Sequence, residues 1–212
     1  MFSCAKIEKI VEEDVKDDVS QVFHLTDVNG NTMDVNQIDE NIEYNILVEE
    51  IVGKPNEFNT IYFESDEEAY QFFKSNIKYN LIVENIDKLR VIRALAFKTG
   101  DILIEEPTDE NISEEMRDLL KNYRNAGAAN KSNITGLLYD HPGAPGLIAA
   151  YVNFLPSLGS ARNRGESCTQ IFPNNIFCDF LWFGGQKLYV FATPNGYLDF
   201  PPYFANKAES VI

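Results

Sequence analysis

The sequence predicts an α+β fold: mostly antiparallel strands with two or three helices, an acidic front lobe and an aromatic-rich C-terminal β-hairpin lobe. Three observations carry this. Extended apolar runs are interrupted by Asn29-Gly30 and Gly184-Gly185, dipeptides suited to the positive φ angles of tight hairpin turns. Two segments combine helix-start signals with apolar residues at three- and four-residue steps. Near residue 127 the composition turns from acidic to aromatic.

Taken in order, Ile7, Ile10, Val11, Val15 and Val19 suggest a short N-terminal helix, although their β-branched side chains also suit a strand. "QVFHLTDVNGNTMDV" reads as a hairpin around Asn29-Gly30. "EYNILVEEIV" and "NTIYFES" read as two further strands joined by "GKPNEF". Ser65 with Glu68 forms a capping box for a helix over "DEEAYQFFKSN", whose buried face is Ala69, Phe72 and Phe73. "YNLIV" reads as a strand, and "KLRVIRALAF" with "KTGDILIEE" reads as a hairpin rather than a helix. Met116, Leu119, Leu120 and Tyr123 form one stripe of the clearest helix, with Gly127 as its cap.

"AGAANKSN" then marks a boundary between residues 1–126, an acidic α+β lobe, and residues 127–212, an aromatic-rich lobe; one continuous domain over 1–212 is the alternative. Beyond it "ITGLLYD" reads as a strand and "LIAAYVNFL" as a short helix stopped by Pro156. "IFCDFLWF" and "QKLYVFAT" read as a hairpin turning at Gly184-Gly185, with Phe180 opposite Tyr189. Alternation puts Ile176, Cys178, Phe180, Trp182, Tyr189 and Phe191 on one face, and Phe177, Leu181, Phe183, Leu188 and Val190 on the other. Both faces are apolar, so this hairpin is sandwiched in the molecule or covered by another chain. Asp179, among aliphatics, is costly unless paired.

The charge is uneven. Residues 1–118 hold 28 acidic and 11 basic residues, a balance of −17, and residues 119–212 hold 5 and 7, a balance of +2. The acidic half repels phosphate backbones, so direct nucleic-acid binding is not expected. A solvated, solubilising face is the expectation, and a surface that mimics nucleic acid or docks a basic partner is the alternative. No run of about 18 apolar residues is present to suggest a membrane-spanning helix, so no membrane association is expected. The start lacks the layout of a secretory signal, and three cysteines, an odd number, suggest no disulfide framework. The expected setting is cytoplasmic or within a virion.

Chemistry has few footholds. A thiol hydrolase or transferase needs a cysteine with a lowered pKa, a histidine base and a carboxylate to orient it. Cys168, His141 and either Asp140 or Asp179 are the parts available, without a recognisable signature around the cysteine. Cys168 is expected to pack inward as a small apolar residue, apart from His141. No zinc spacing, phosphate loop or dinucleotide fingerprint occurs, and no cofactor or metal is expected. Asp27, Asn29, Asn31 and Asp34 carry oxygen ligands suited to calcium, but the glycine and acid fall at the wrong positions for an EF-hand loop. The leading expectation is a non-enzymatic protein-interaction or assembly subunit, including a virus-particle component. Its interface would use Phe180, Trp182, Tyr189, Phe191 and Tyr197. An acidic inhibitor docking a basic protein is a further alternative.

Overall fold

The computed structural model describes residues 21–34, 38, 42–126, 136–143, 146–151, 154–170, 174–191, 197–201 and 204–212. The expected N-terminal helix, the Gly127 cap and most of the boundary segment lie outside them. The described elements are β1 (Val22–Thr26), β2 (Asn45–Glu50), β3 (Glu57–Phe63), α1 (Asp66–Lys74), α2 (Asn80–Thr99) and α3 (Glu114–Ala126). They continue with β4 (Gly136–Tyr139), β5 (Leu147–Tyr151), β6 (Ser167–Gln170), β7 (Asn175–Phe180), β8 (Gly184–Phe191), β9 (Tyr197–Asp199) and β10 (Ser210–Val211).

The fold is α+β, with two mostly antiparallel sheets. A six-stranded sheet runs β1-β3-β2-β8-β7-β10, and a four-stranded antiparallel sheet runs β5-β4-β6-β9. The larger sheet draws on both halves of the chain, since β2 pairs in parallel with β8, Leu47 opposite Tyr189. β2 and β8 lie inside it, and period-two alternation sends their side chains to two separate cores. Leu47, Phe63 and Tyr189 pack under α1, α2 and α3. Ile46, Val48, Phe177, Leu188 and Val190 face the second sheet, where Leu138, Cys168 and Leu198 meet them. The order of layers is therefore helices, large sheet, small sheet.

Several local signals operate as the residues dictate. At the Asn29-Gly30 turn, Gly30 has φ of +83° and its N–H donates to the Asp27 carbonyl at 3.0 Å. The Asp27 carboxylate accepts from the Asn29 and Asn31 backbone N–H groups and from Asn31 Nδ2 at 2.8–2.9 Å. Those bonds, chiefly the ones from Asn31, hold its pKa below the usual carboxylate value. The turn thus engages the carboxylate that a calcium ion would use. At α1, Ser65 Oγ accepts from the Glu68 N–H at 3.2 Å, and Ala69 and Phe73 are buried with Phe72 packed beside them. Met116 and Leu120 of α3 are buried, and Leu119 and Tyr123 flank them.

Two segments differ from expectation. Residues 79–106, read as a strand followed by a hairpin, instead form the 20-residue helix α2 over Asn80–Thr99 and a single 3-10 turn at Asp101–Leu103. Ile82, Ile86, Leu89, Ile92 and Ala96 are its buried stripe, at steps of four, three, three and four, and this continuous period outweighs the β-branched content. Gly100, at φ +82°, ends it in the left-handed conformation. "LIAAYVNFL" is not a helix: its first five residues form β5, whose Ala150 pairs with Leu137 of β4 and whose Tyr151 is buried between the sheets. Strand pairing there satisfies the backbone of a segment too short for an independent helix.

A candidate docking groove beside a strained aromatic turn

The C-terminal hairpin exists, but its turn is not Gly184-Gly185. Phe180 pairs with Gly184, Cys178 with Lys187 and Ile176 with Tyr189, with a bulge between Cys178 and Phe180. Leu181–Phe183 form the connecting turn, and Trp182 (φ 56°, ψ 32°) and Phe183 (φ 61°) both occupy the left-handed region. Non-glycine residues hold that conformation only where their surroundings enforce it. Here they do. The Trp182 N–H donates to the Pro156 carbonyl at 3.1 Å, and its indole Nε1 donates to the Ile104 carbonyl at 3.3 Å. Arg93 Nη1 donates to the Trp182 carbonyl at 2.9 Å. Ser210 Oγ accepts from the Phe183 N–H at 3.2 Å and donates to the Phe180 carbonyl at 2.8 Å.

This arrangement turns both aromatic side chains of the turn inward and leaves their neighbour outside. Trp182 and Phe183 are buried, while Phe180 is 56% exposed. The bulge at Asp179 is the cause, because one extra residue reverses which face the following side chain takes. Trp182 then floors an open cleft of about 410 Å³ walled by Ile102, Leu103, Phe180 and Gly185. Leu103 is 84% exposed, and Phe97, 62% exposed, has its ring centroid 5.8 Å from the guanidinium of Arg93, which lines the cleft.

Two further clefts, of about 500 and 620 Å³, continue from the first along residues 106–110. Glu209 lines the first and second, and Glu106 and Gly159 line the second and third, so the three clefts adjoin one another in a row, hereafter the groove. Its cations are engaged. Arg162 bonds the Glu105 carbonyl and the Glu106 carboxylate at 3.3 Å, and Arg124 bonds Asp109 at 3.2 Å and the Phe154 carbonyl at 3.1 Å. Glu105 and Glu110 are exposed on the groove, and neither forms an ion pair among the described residues.

The remaining interface candidates are distributed otherwise than expected. Trp182 and Tyr189 are core residues: Tyr189 lies under α1 with its ring 4.8 Å from that of Phe73. Phe191 is half-buried against Tyr79, and Tyr197 sits half-buried in β9, its carbonyl accepting from Gln21 Nε2 at 2.8 Å. Only Phe180 of the five presents a largely exposed ring. The expected register placed it beside Trp182 because a two-residue Gly184-Gly185 turn needs no bulge.

Cys168 lies in β6 between Leu138 and Leu198 and is fully buried. Burial pushes its thiol well above the usual range, with the Asp199 carboxylate adding to the rise, so the thiolate is strongly disfavoured. His141 extends from the end of β4 with its ring exposed; its carbonyl accepts from Ser167 Oγ at 2.7 Å, and its Nε2 lies 3.8 Å from Asp140 Oδ1. Asp140 pairs with Arg164 at 3.2 Å. No hydrogen bond joins Cys168 to His141. Asp179 belongs to the bulge of the large sheet, so the four residues do not form one constellation. Among the described residues, no three His, Cys, Asp or Glu side chains converge as metal ligands, and no helix is long and apolar enough to cross a membrane.

Asp179 is buried under Gly185, which has φ of +64° and where a Cβ would overlap Asp179 Oδ1. Burial pushes its carboxyl up to about 6, and Glu43 adds to the rise, against the Gln186 backbone N–H and the Lys207 and Lys187 ammonium groups. The folded chain therefore keeps a proton that the unfolded chain has released between about pH 4 and pH 6, so this residue's contribution to stability falls as pH rises through that window. Asp179→Asn removes the penalty. Urea unfolding at pH 7 is expected to find the variant more stable by about 1–2 kcal/mol, with the difference shrinking toward zero near pH 4. A difference independent of pH would refute this account of Asp179.

Compared with protein-family models, with curated proteins and with solved structures, the chain matches none. The functional reading therefore rests on its own geometry. The residues that sequence reasoning missed are Phe97, Leu103, Glu105 and Glu209. One signal was present: once α2 is read as a single helix, Phe97 is an apolar residue off the buried stripe.

Proposed function

We propose that this chain is a non-enzymatic protein-interaction or assembly subunit, working in the cytoplasm or within a virus particle, and that it docks through the groove beside the β7–β8 turn. One observation carries the reading. A turn with two successive left-handed aromatic residues is held by five hydrogen bonds, and beside it Phe180 and Leu103, both largely exposed, line one cleft. Strain maintained in this way belongs with function, and clustered exposed apolar side chains mark contact surfaces. Buried Cys168 gives the thiol-enzyme alternative no support.

The test compares wild type with Phe180→Asp and, as a control, Val52→Asp. Val52 is 99% exposed on the β2–β3 turn, away from the groove. Light scattering measures self-assembly, and quantitative affinity purification measures partner recovery. Phe180→Asp is expected to reduce association about tenfold or more, and Val52→Asp to leave it unchanged. Equal behaviour of the two variants would sink the docking assignment.

A further inference from the structure

Resting on that reading, we infer that the groove accepts an extended basic segment of a partner protein, its apolar side chain seated between Leu103 and Phe180 and its cationic side chains set along Glu209, Glu105, Glu106 and Glu110.

Apolar side chains and an excess of carboxylates line the same row of adjoining clefts, which suits a segment carrying both apolar and cationic groups. The end bounded by Ile102, Leu103, Phe180 and Leu181 is apolar. Leu155 and Pro156 give the third cleft apolar lining as well, and along all three clefts five carboxylates (Glu105, Glu106, Asp109, Glu110 and Glu209) outnumber three arginines. Arg162 and Arg124 pair with Glu106 and Asp109, Arg93 keeps its charge on the Trp182 carbonyl, and the five carboxylates still exceed the three guanidiniums, which leaves negative charge for a visitor. The Arg162–Glu106 pair lines the second cleft with Glu106 75% exposed, an arrangement weak enough for an incoming cation to replace. An acidic segment would meet unpaired like charge and is repelled. A purely apolar segment would bury Glu105 and Glu110 without partners, which is costly. The chain's net charge of −15 steers a basic partner toward it from a distance.

The experiment uses the full chain and three fluorescein-labelled heptapeptides, alternating lysine with leucine, glutamate with leucine, and lysine with serine. Fluorescence anisotropy is expected to find the lysine–leucine peptide bound at least about tenfold more tightly than either of the others. Its affinity should drop severalfold between low and physiological salt. Glu105→Lys combined with Glu110→Lys should weaken it about tenfold, and so should Phe180→Asp or Leu103→Asp. The two apolar positions are well exposed, and thermal unfolding of each variant verifies that the fold is kept. If lysine–leucine and glutamate–leucine peptides bind alike and both are lost in Phe180→Asp, the basic partner is refuted while docking at the groove stands. If binding is indifferent to Phe180→Asp and Leu103→Asp, both the inference and the docking assignment fall. Absence of binding by all three peptides also overturns the inference, and the Phe180→Asp association assay then decides the docking assignment separately.

Discussion

Trp182→Ala is expected to destabilise the fold by about 3–5 kcal/mol, the range for deleting a large buried aromatic side chain. Trp182 is only 1% exposed, packs in the core under the helices and is among the largest fully buried side chains. Truncation also removes the indole donor to the Ile104 carbonyl, which ties the segment after α2 to the turn. The backbone conformation separates this loss from ordinary cavity formation. Alanine at φ 56°, ψ 32° still suffers the left-handed penalty, and glycine does not. Trp182→Gly should therefore be more stable than Trp182→Ala by about 1 kcal/mol, the reverse of the usual ranking. Urea denaturation of both variants decides the matter. Alanine equal to or better than glycine would mean that the turn relaxes when the indole is gone, and that core packing alone imposes its conformation. Peptide binding should fall in both variants, because the indole is the floor on which the Phe180 cleft stands.

How far the sequence discloses this arrangement depends on what each residue's role requires. Ser65, Asn29-Gly30 and the Met116 stripe act within a few residues of themselves, so the turn and the two helices are where the pattern places them. β1, however, pairs in parallel with β3 and meets the residues after the Asn29-Gly30 turn at the isolated Thr26–Thr32 bridge. The alternation of Ile176, Cys178 and Tyr189 against Phe177, Leu188 and Val190 likewise discloses a strand pair buried on both faces. The turn between those strands is another matter. Two adjacent glycines are the cheapest residues for a tight reversal, yet the chain reverses three residues earlier, on Leu181, Trp182 and Phe183. The forces responsible come from Pro156, Ile104, Arg93 and Ser210, which are 26 to 89 residues away in sequence. No local pattern announces them. The same long-range support decides which aromatic residue remains outside, so Phe180 was legible as a candidate and its exposure was not. α2 was missed for a different reason: its N-terminal "YNLIV" matches a strand in composition, and only the period over all 20 residues identifies the helix.

Asp66 and Lys187 form the second pair whose disruption should be large, and the expected effect is asymmetric. Lys187 Nζ donates to Asp66 Oδ1 and Oδ2 at 2.7 and 2.8 Å and to the Gly185 carbonyl at 3.0 Å. The lysine side chain is 6% exposed, whereas that of Asp66 is 61% exposed. Asn45 completes the cluster, donating to Asp66 Oδ1 at 3.0 Å and accepting from the Lys187 backbone N–H at 2.8 Å. Asp66→Asn takes the countercharge from a buried ammonium and leaves that charge poorly compensated, for a cost of about 2–4 kcal/mol. It also removes a favourable negative charge from the first turn of α1. Lys187→Met does the opposite: an unbranched apolar side chain fills the space, and Asp66 is left in water, still at the helix N-terminus. Its cost should be about 1 kcal/mol or less, as expected when a buried charge is replaced by an apolar group of similar shape. Urea unfolding of the two single variants and the double variant measures the difference. If the order holds, adding Lys187→Met to Asp66→Asn recovers stability, because the uncompensated ammonium is gone. Equal losses in the two single variants, or an additive double variant, would mean that Lys187 reaches solvent when its partner is removed.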